Sequence, residues 1–181
     1  MAPPYHAAAT STQAAVMPPT TLGVFSVATL HLMVGLPCSG KTTLAQKLES
    51  EKAALRLTPD EWQVRLFGQD AEEPEHNARH DLIEAMLWNI ASRALVLGTN
   101  VILDFGFWAR EEREDFRLRA KQLGASSEVH FLDVPEDELM RRLAVRNSQL
   151  SQASFHIPDN MMKPWIAFFQ KPTPDELERR E

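Results

Sequence analysis

The chain has 181 residues, enough for one domain with a sizeable core, and its 44% hydrophobic and 24% charged content is that of a soluble globular protein. A formal net charge of −6 makes a long polyanion a less favoured partner. The single cysteine, Cys38, excludes an internal disulfide and agrees with a reducing, cytoplasmic setting, and no apolar run is long enough to cross a bilayer.

The first thirty residues contain no Asp, Glu, Lys or Arg and are rich in Ala, Pro and Thr. They lack the basic start of a signal peptide and the arginines of a mitochondrial presequence. Residues 1–27 offer little to bury and read as a disordered extension, which leaves 28–181 as the folded domain. From Thr29 short apolar runs alternate with amphipathic segments, the pattern of parallel strands joined by helices. TLHLMVG is the first strand, bounded by Gly35, and the helix after it puts Leu44, Ala45 and Leu48 on one face. AALRL is the second strand. TPDE then reads as a capping box, with Thr58 as cap, Pro59 at the first helical position and Glu61 folding back. That helix ends near Phe67, with Gly68 as its stop.

GQDAEEPEHN is an acidic connection. A long helix from about Asn77 to Leu97 follows, with Ile83, Met86, Leu87, Ile90, Ala94 and Leu97 on its buried side. NVILDFG is the third strand. The helix from about Arg110 to Leu123 has acids in its first turn and Gly124 at its end, as the helix dipole favours. EVHFLDV is the fourth strand, and Pro135 opens a helix running through Arg146. A last helix, about Asp159 to Gln170, gathers Met162, Trp165, Ile166 and Phe169. Four strands, each followed by a helix, make an open α/β sandwich.

Gly35-Leu-Pro-Cys-Ser-Gly-Lys-Thr42 matches the phosphate-binding pattern G-x4-G-K-[ST], and it sits where that pattern must, between a strand and a helix. Glycines let backbone N–H groups point inward with no side chain in the way, and the helix N-terminus adds positive potential. Lys41 is expected on the β- and γ-phosphates, and the Thr42 hydroxyl on Mg²⁺. Gly35, Pro37, Cys38, Ser39, Gly40, Lys41, Thr42 and Thr43 are therefore the candidate nucleotide-binding residues. Cys38 reads as a small residue tolerated in the loop, the alternative being a thiol acidified by the helix terminus.

Asp60 lies at the carboxyl end of the second strand, where ligands gather in open α/β sheets. It can accept a proton from an attacking hydroxyl, or simply match the dipole of its helix. Arg142 and Arg146 are four apart and share a helix face, while Arg141 points elsewhere. The pair can close over a triphosphate, or form a solvated face paired with Glu138. Asp104 ends the third strand and can hold Mg²⁺ through water, orient a substrate, or cap. Trp108 lines a substrate pocket or joins the core. The DFG string lacks the other protein-kinase signatures. The histidines show no metal-ligand spacing, and one cysteine cannot build a thiolate zinc site.

In order, GLPCSGKTT, TPDEW, NVILDFGF and VHFLDVPEDELMRRLAVRN resemble the small P-loop kinases, among them phage-type polynucleotide 5′-kinases, chloramphenicol phosphotransferase and zeta-toxin-like kinases. The likeness covers about Thr29 to Asn147 and is weaker beyond. It implies a three-layer P-loop NTPase fold of the kinase type, with a parallel sheet of about four or five strands, core order 2-3-1-4, and a helical lid. It also implies ATP and Mg²⁺ as cofactors, Asp60 as the base, and Arg142 and Arg146 as lid arginines. Polynucleotide kinases carry an arginine three residues after their aspartate, where this chain has Gln63; Arg65 is out of register. That departure, with the acidic net charge, points to a small-molecule hydroxyl acceptor (a nucleoside, sugar or antibiotic-like compound) before a polynucleotide 5′-hydroxyl. A regulatory nucleotide-binding ATPase is the reading from another class.

Overall fold

A computed structural model describes residues 27–69, 73–149 and 155–181. The extension assigned to residues 1–27 lies outside them apart from Val27, as does part of the acidic connection. Four strands, β1 (Thr29–Val34), β2 (Leu55–Leu57), β3 (Val101–Gly106) and β4 (Ser126–Phe131), pair in parallel in the order β2-β3-β1-β4. Seven helices lie among the described residues: α1 (Lys41–Lys52), α2 (Pro59–Phe67), α3 (His76–Val96), α4 (Arg110–Gln122), α5 (Glu136–Ser148), α6 (Asp159–Phe168) and α7 (Pro174–Leu177). The sheet order is the one the sequence implied.

Central β1 is buried along its whole length because it is covered on both faces, as parallel strands must be. Leu30, Leu32 and Val34 face α3 and α4, where Ile83, Leu87, Leu95, Phe116 and Ala120 pack. Met33 faces the other way, onto Ala45 and Leu48 of α1. A third cluster, Leu36, Leu139, Leu143, Ile157 and Met162, fastens α5 and α6 beside the loop that follows β1. These three clusters fix the carboxyl ends of the strands as the open side.

Three expectations change. The buried row of α3 is Ile83, Leu87, Ala91 and Leu95, while Met86, Ile90 and Leu97 are exposed. That helix is apolar on more than one side, so periodicity alone did not choose the row; the sheet takes the i, i+4 one. Thr58 does precede α2, but its side chain makes no cap, because its hydroxyl is taken by Arg56 Nη1 at 2.5 Å. Glu61 likewise pairs with Arg56, at 2.8 Å, and does not fold back to the cap. Finally α7 follows the predicted last helix, and Ser127 of β4 bridges antiparallel to Arg180 beyond it.

Candidate active site at the phosphate loop

The loop begins where β1 runs out of apolar residues. The Gly35 N–H donates to Gly106 O at 3.1 Å, holding the ends of β1 and β3 together. At φ 152° a Cβ on Gly35 would lie 2.7 Å from Ser39 Oγ and 3.3 Å from Leu132 O, so the turn admits glycine alone. Cys38 and Gly40 also have positive φ, 66° and 99°, and swing the chain into α1, whose first N–H groups have no helical partner. Lys41 Nζ donates to Leu36 O at 2.8 Å, laying the ammonium across the loop. Burial lowers the Lys41 amine, opposed chiefly by the charges of Asp104 and Asp60.

Thr42 Oγ1 donates to Asp104 Oδ2 at 2.7 Å, and Thr58 Oγ1 lies 3.4 Å from the same oxygen. Asp104 is only 6% exposed, and its other oxygen, Oδ1, is buried with no partner among the described residues. Burial raises its carboxyl against the pull of Thr42 and Lys41. A hydroxyl and a desolvated carboxylate with spare acceptor capacity, beside a phosphate loop, are the donor set that suits Mg²⁺. Thr42 and Asp104 thus stand together at the end of the loop.

Asp60, in the first turn of α2, has a side chain 48% exposed, with His80 Nε2 3.5 Å from Oδ1. Burial resists its charge, but His80, Arg146 and Lys41 together hold the carboxyl below its usual range. Asp60, Lys41, Arg146 and Asp104 therefore share one field. His80 Nδ1 lies 3.6 Å from Glu84 Oε1. Burial also opposes a charged His80, yet Asp60 and Glu84 raise its ring above the ordinary value. Glu84 is pushed up to about 7 by burial, helped by the charges of Glu112, Asp81 and Asp60 against that of His80. Sequence reasoning passed over His80 and Glu84. Their i, i+4 spacing on α3 puts them on one face, but nothing local says that this face looks at Asp60.

The two arginines part company. Arg146 Nη2 donates to Phe155 O at 3.1 Å, and its Nε is buried without a partner among the described residues. Arg142 donates through Nε to Glu138 at 2.6 Å and through Nη1, at 3.4 Å, to Cys38 O and Ser39 O on the outside of the loop. Glu138 also holds Arg141. Trp108 packs on Trp165, ring centroids 5.5 Å apart, within the third cluster. Pro37 and Cys38 are half-buried in the loop, Ser39 is buried, and Thr43 is exposed on α1. Gln63 is buried and donates to His76 O at 3.0 Å, bracing α2 on α3. Beside the loop a cavity of about 180 Å³ is lined by Leu36, Leu132, Pro135, Leu139, Ile166 and Phe169, with the Lys171–Asp133 pair at its rim.

Solved structures with this fold include the Pnkp1/Rnl/Hen1 RNA repair complex, at 24% identity and TM-score 0.64 over 78% of this chain and 44% of that one. The chain thus spans under half of that protein's length. Chaetomium thermophilum Kti12 in complex with ADP-AlF3 is similar at 21% identity and TM-score 0.61, over 81% and 82% of the two chains. A gluconokinase from Sinorhizobium meliloti 1021 is similar at 17% identity and TM-score 0.54, over 84% and 80%. At these identities the likeness is one of fold. No curated protein sequence matches the chain. The model of the AAA domain family AAA_33 matches residues 30–172, from the start of β1 to just before α7. By that match and by its P-loop kinase-like fold, the chain belongs to the AAA domain family.

Proposed function

We propose that the protein is a kinase that moves the γ-phosphate of ATP to a hydroxyl of a small molecule. One observation carries the reading: Asp60, in the first turn of α2 with a side chain about half exposed, lies close enough to Lys41 of the phosphate loop for the two charges to act on each other. Lys41 and the loop N–H groups hold the phosphates. Thr42 and, through water, Asp104 would hold Mg²⁺, which would supply neutralisation of the phosphate charge. Asp60 accepts a hydrogen bond from the acceptor hydroxyl and takes its proton as the new O–P bond forms and the bond from the γ-phosphorus to the bridging oxygen breaks, releasing ADP. A carboxylate held low suits a loose transition state, in which the hydroxyl is aimed first and deprotonated late. Arg146 sits in the same field and meets the charge of the migrating group, while Arg142 braces the loop from outside. The apolar cavity takes the base of the nucleotide. Trp108, packed on Trp165, has no part in this reading.

The test is a screen with γ-labelled ATP against nucleosides, sugars, antibiotics and 5′-hydroxyl oligonucleotides. Label should move to a small hydroxyl compound, and Asp60→Asn should cut turnover by about 10² or more with ATP affinity kept. Undiminished turnover in that variant removes Asp60 from the mechanism. Transfer to oligonucleotides alone, weakening steeply with salt, would favour the polynucleotide reading suggested by the Pnkp1 likeness. That reading is second because Gln63, in the place of the expected arginine, is buried against α3. No transfer to any acceptor, with intact nucleotide binding, would leave the regulatory ATPase.

A further inference from the structure

Midway along β1, His31 is 2% exposed. Register pairs His31 with Glu128 and Met33 with His130 on β4, and alternation turns Glu128 and His130 to the same face of the sheet as His31. Three ligand-type atoms converge there. His31 Nδ1 is 3.0 Å from His130 Nε2 and 3.5 Å from Glu128 Oε2, and His130 Nε2 is 3.8 Å from that same oxygen. A hydrogen bond explains only the first of these separations, since the other two are at or beyond its limit. Together the three straddle the roughly 3.3 Å edge of a tetrahedral shell with zinc bonds of about 2.0 Å. A point equidistant from the three atoms lies about 2.0 Å from each, within the range of Zn–N and Zn–O bonds.

We propose that His31, Glu128 and His130 form a zinc site that ties β1 to β4, with a fourth position left for water. The site is unrelated to the nucleotide chemistry and stands whether or not the kinase reading does. Glu128 and His130 side chains are 27% and 21% exposed, which gives the ion a way in. Arg179 Nη1 donates to Glu128 Oε1 at 3.2 Å, turning the other oxygen inward in the manner of an outer-shell partner. Two features moderate the affinity. The cations Lys52 and Arg179 stand nearby, and His31 Nε2 is buried with no partner among the described residues, leaving an N–H unpaired when Nδ1 ligates. His31 and His130 are 99 residues apart in sequence, so no local spacing announces the set.

Untagged full-length protein, stripped with EDTA and dialysed against Zn²⁺, should retain one equivalent per chain and melt at a higher temperature with the metal than without. His130→Ala and Glu128→Gln, both at partly exposed positions, should fold as judged by circular dichroism, bind Zn²⁺ at least tenfold more weakly, and lose the thermal shift. Absence of retained zinc in the wild type overturns the proposal. So does equal zinc binding by both variants, which would move the ion to another set such as Cys38 or the histidines of α3.

Discussion

Asp104 and Glu84 are carboxylates kept where their charge costs stability. Asp104 spends one oxygen on Thr42 and leaves the other buried and, among the described residues, unbonded. Burial raises its carboxyl beyond what Thr42 and Lys41 offset, a cost that a cation at the loop would relieve. Asp104→Asn should therefore raise the melting temperature of the nucleotide-free protein and weaken ADP binding only when Mg²⁺ is present; calorimetric titration with and without EDTA measures both parts. Glu84 is raised from 4.5 to about 7 by burial, so between those values the folded chain holds a proton that the unfolded chain has released. Its stabilising contribution is complete below pH 4.5 and is lost as pH rises through 7. Glu84→Gln keeps the neutral shape at every pH. Urea midpoints at pH 5 and pH 8 should show the variant gaining on the wild type at the higher value, and an equal difference at both would contradict the burial of this group.

At the scale of elements, the tetrapeptide TPDE occurs twice and does different things. At Thr58–Glu61 the threonine and the glutamate are both drawn to Arg56. At Thr173–Glu176 the capping box forms, with the Thr173 N–H donating to Glu176 Oε1 at 3.0 Å. Local sequence reads the same at both places, and arginines reach both: at the second, Arg110 donates to Thr173 Oγ1 and Arg113 to Glu176, and the box still closes. That is why strands, loop and most helix ends were legible from the chain alone, while the α3 row and the C-terminal segment were not. The former follow from turn chemistry and apolar runs, the latter from which surfaces meet. The C-terminal segment is held by a buried pair: Arg113 Nε donates to Glu176 Oε2 at 2.7 Å and Nη2 to Oε1 at 3.1 Å, both side chains sealed from water. Arg113 Nη1 also donates to Phe107 O at 3.1 Å and Gln170 O at 3.0 Å, and Arg117 to Glu176 O. Glu176→Ala strands the Arg113 charge and should cost about 3–5 kcal/mol in chemical unfolding. Burial resists ionisation of Glu176, but Arg113 and Thr173 hold it at about 2. The stability it supplies is present above pH 4.5 and drains as the medium is acidified toward 2, a loss that Glu176→Ala should not share.

Taken whole, the molecule spends its core on making the carboxyl ends of four strands rigid and leaves the chemistry on the turns that follow them. The phosphate loop was readable because its glycines, lysine and threonine are contiguous; the company of Asp60 was not, since His80 and Arg146 reach it from separate helices. Lys41 tests whether this rigid end is built for a nucleotide. Its ammonium is partly desolvated and bonded only to Leu36 O among the described residues, an arrangement that favours a ligand over the empty protein. ADP with Mg²⁺ at about a hundred times its dissociation constant should add about 2.7 kcal/mol to stability, a rise of roughly 5–10 °C in melting temperature for a domain of this size. Lys41→Met keeps the length of the side chain and removes the charge. It should melt no lower than the wild type when empty, because a desolvated cation has gone, and should show little or none of the nucleotide-induced rise. A full rise in that variant would mean that the loop amides alone carry the phosphates. A wild type that does not respond would remove the nucleotide from this fold, and with it every role assigned to Asp60.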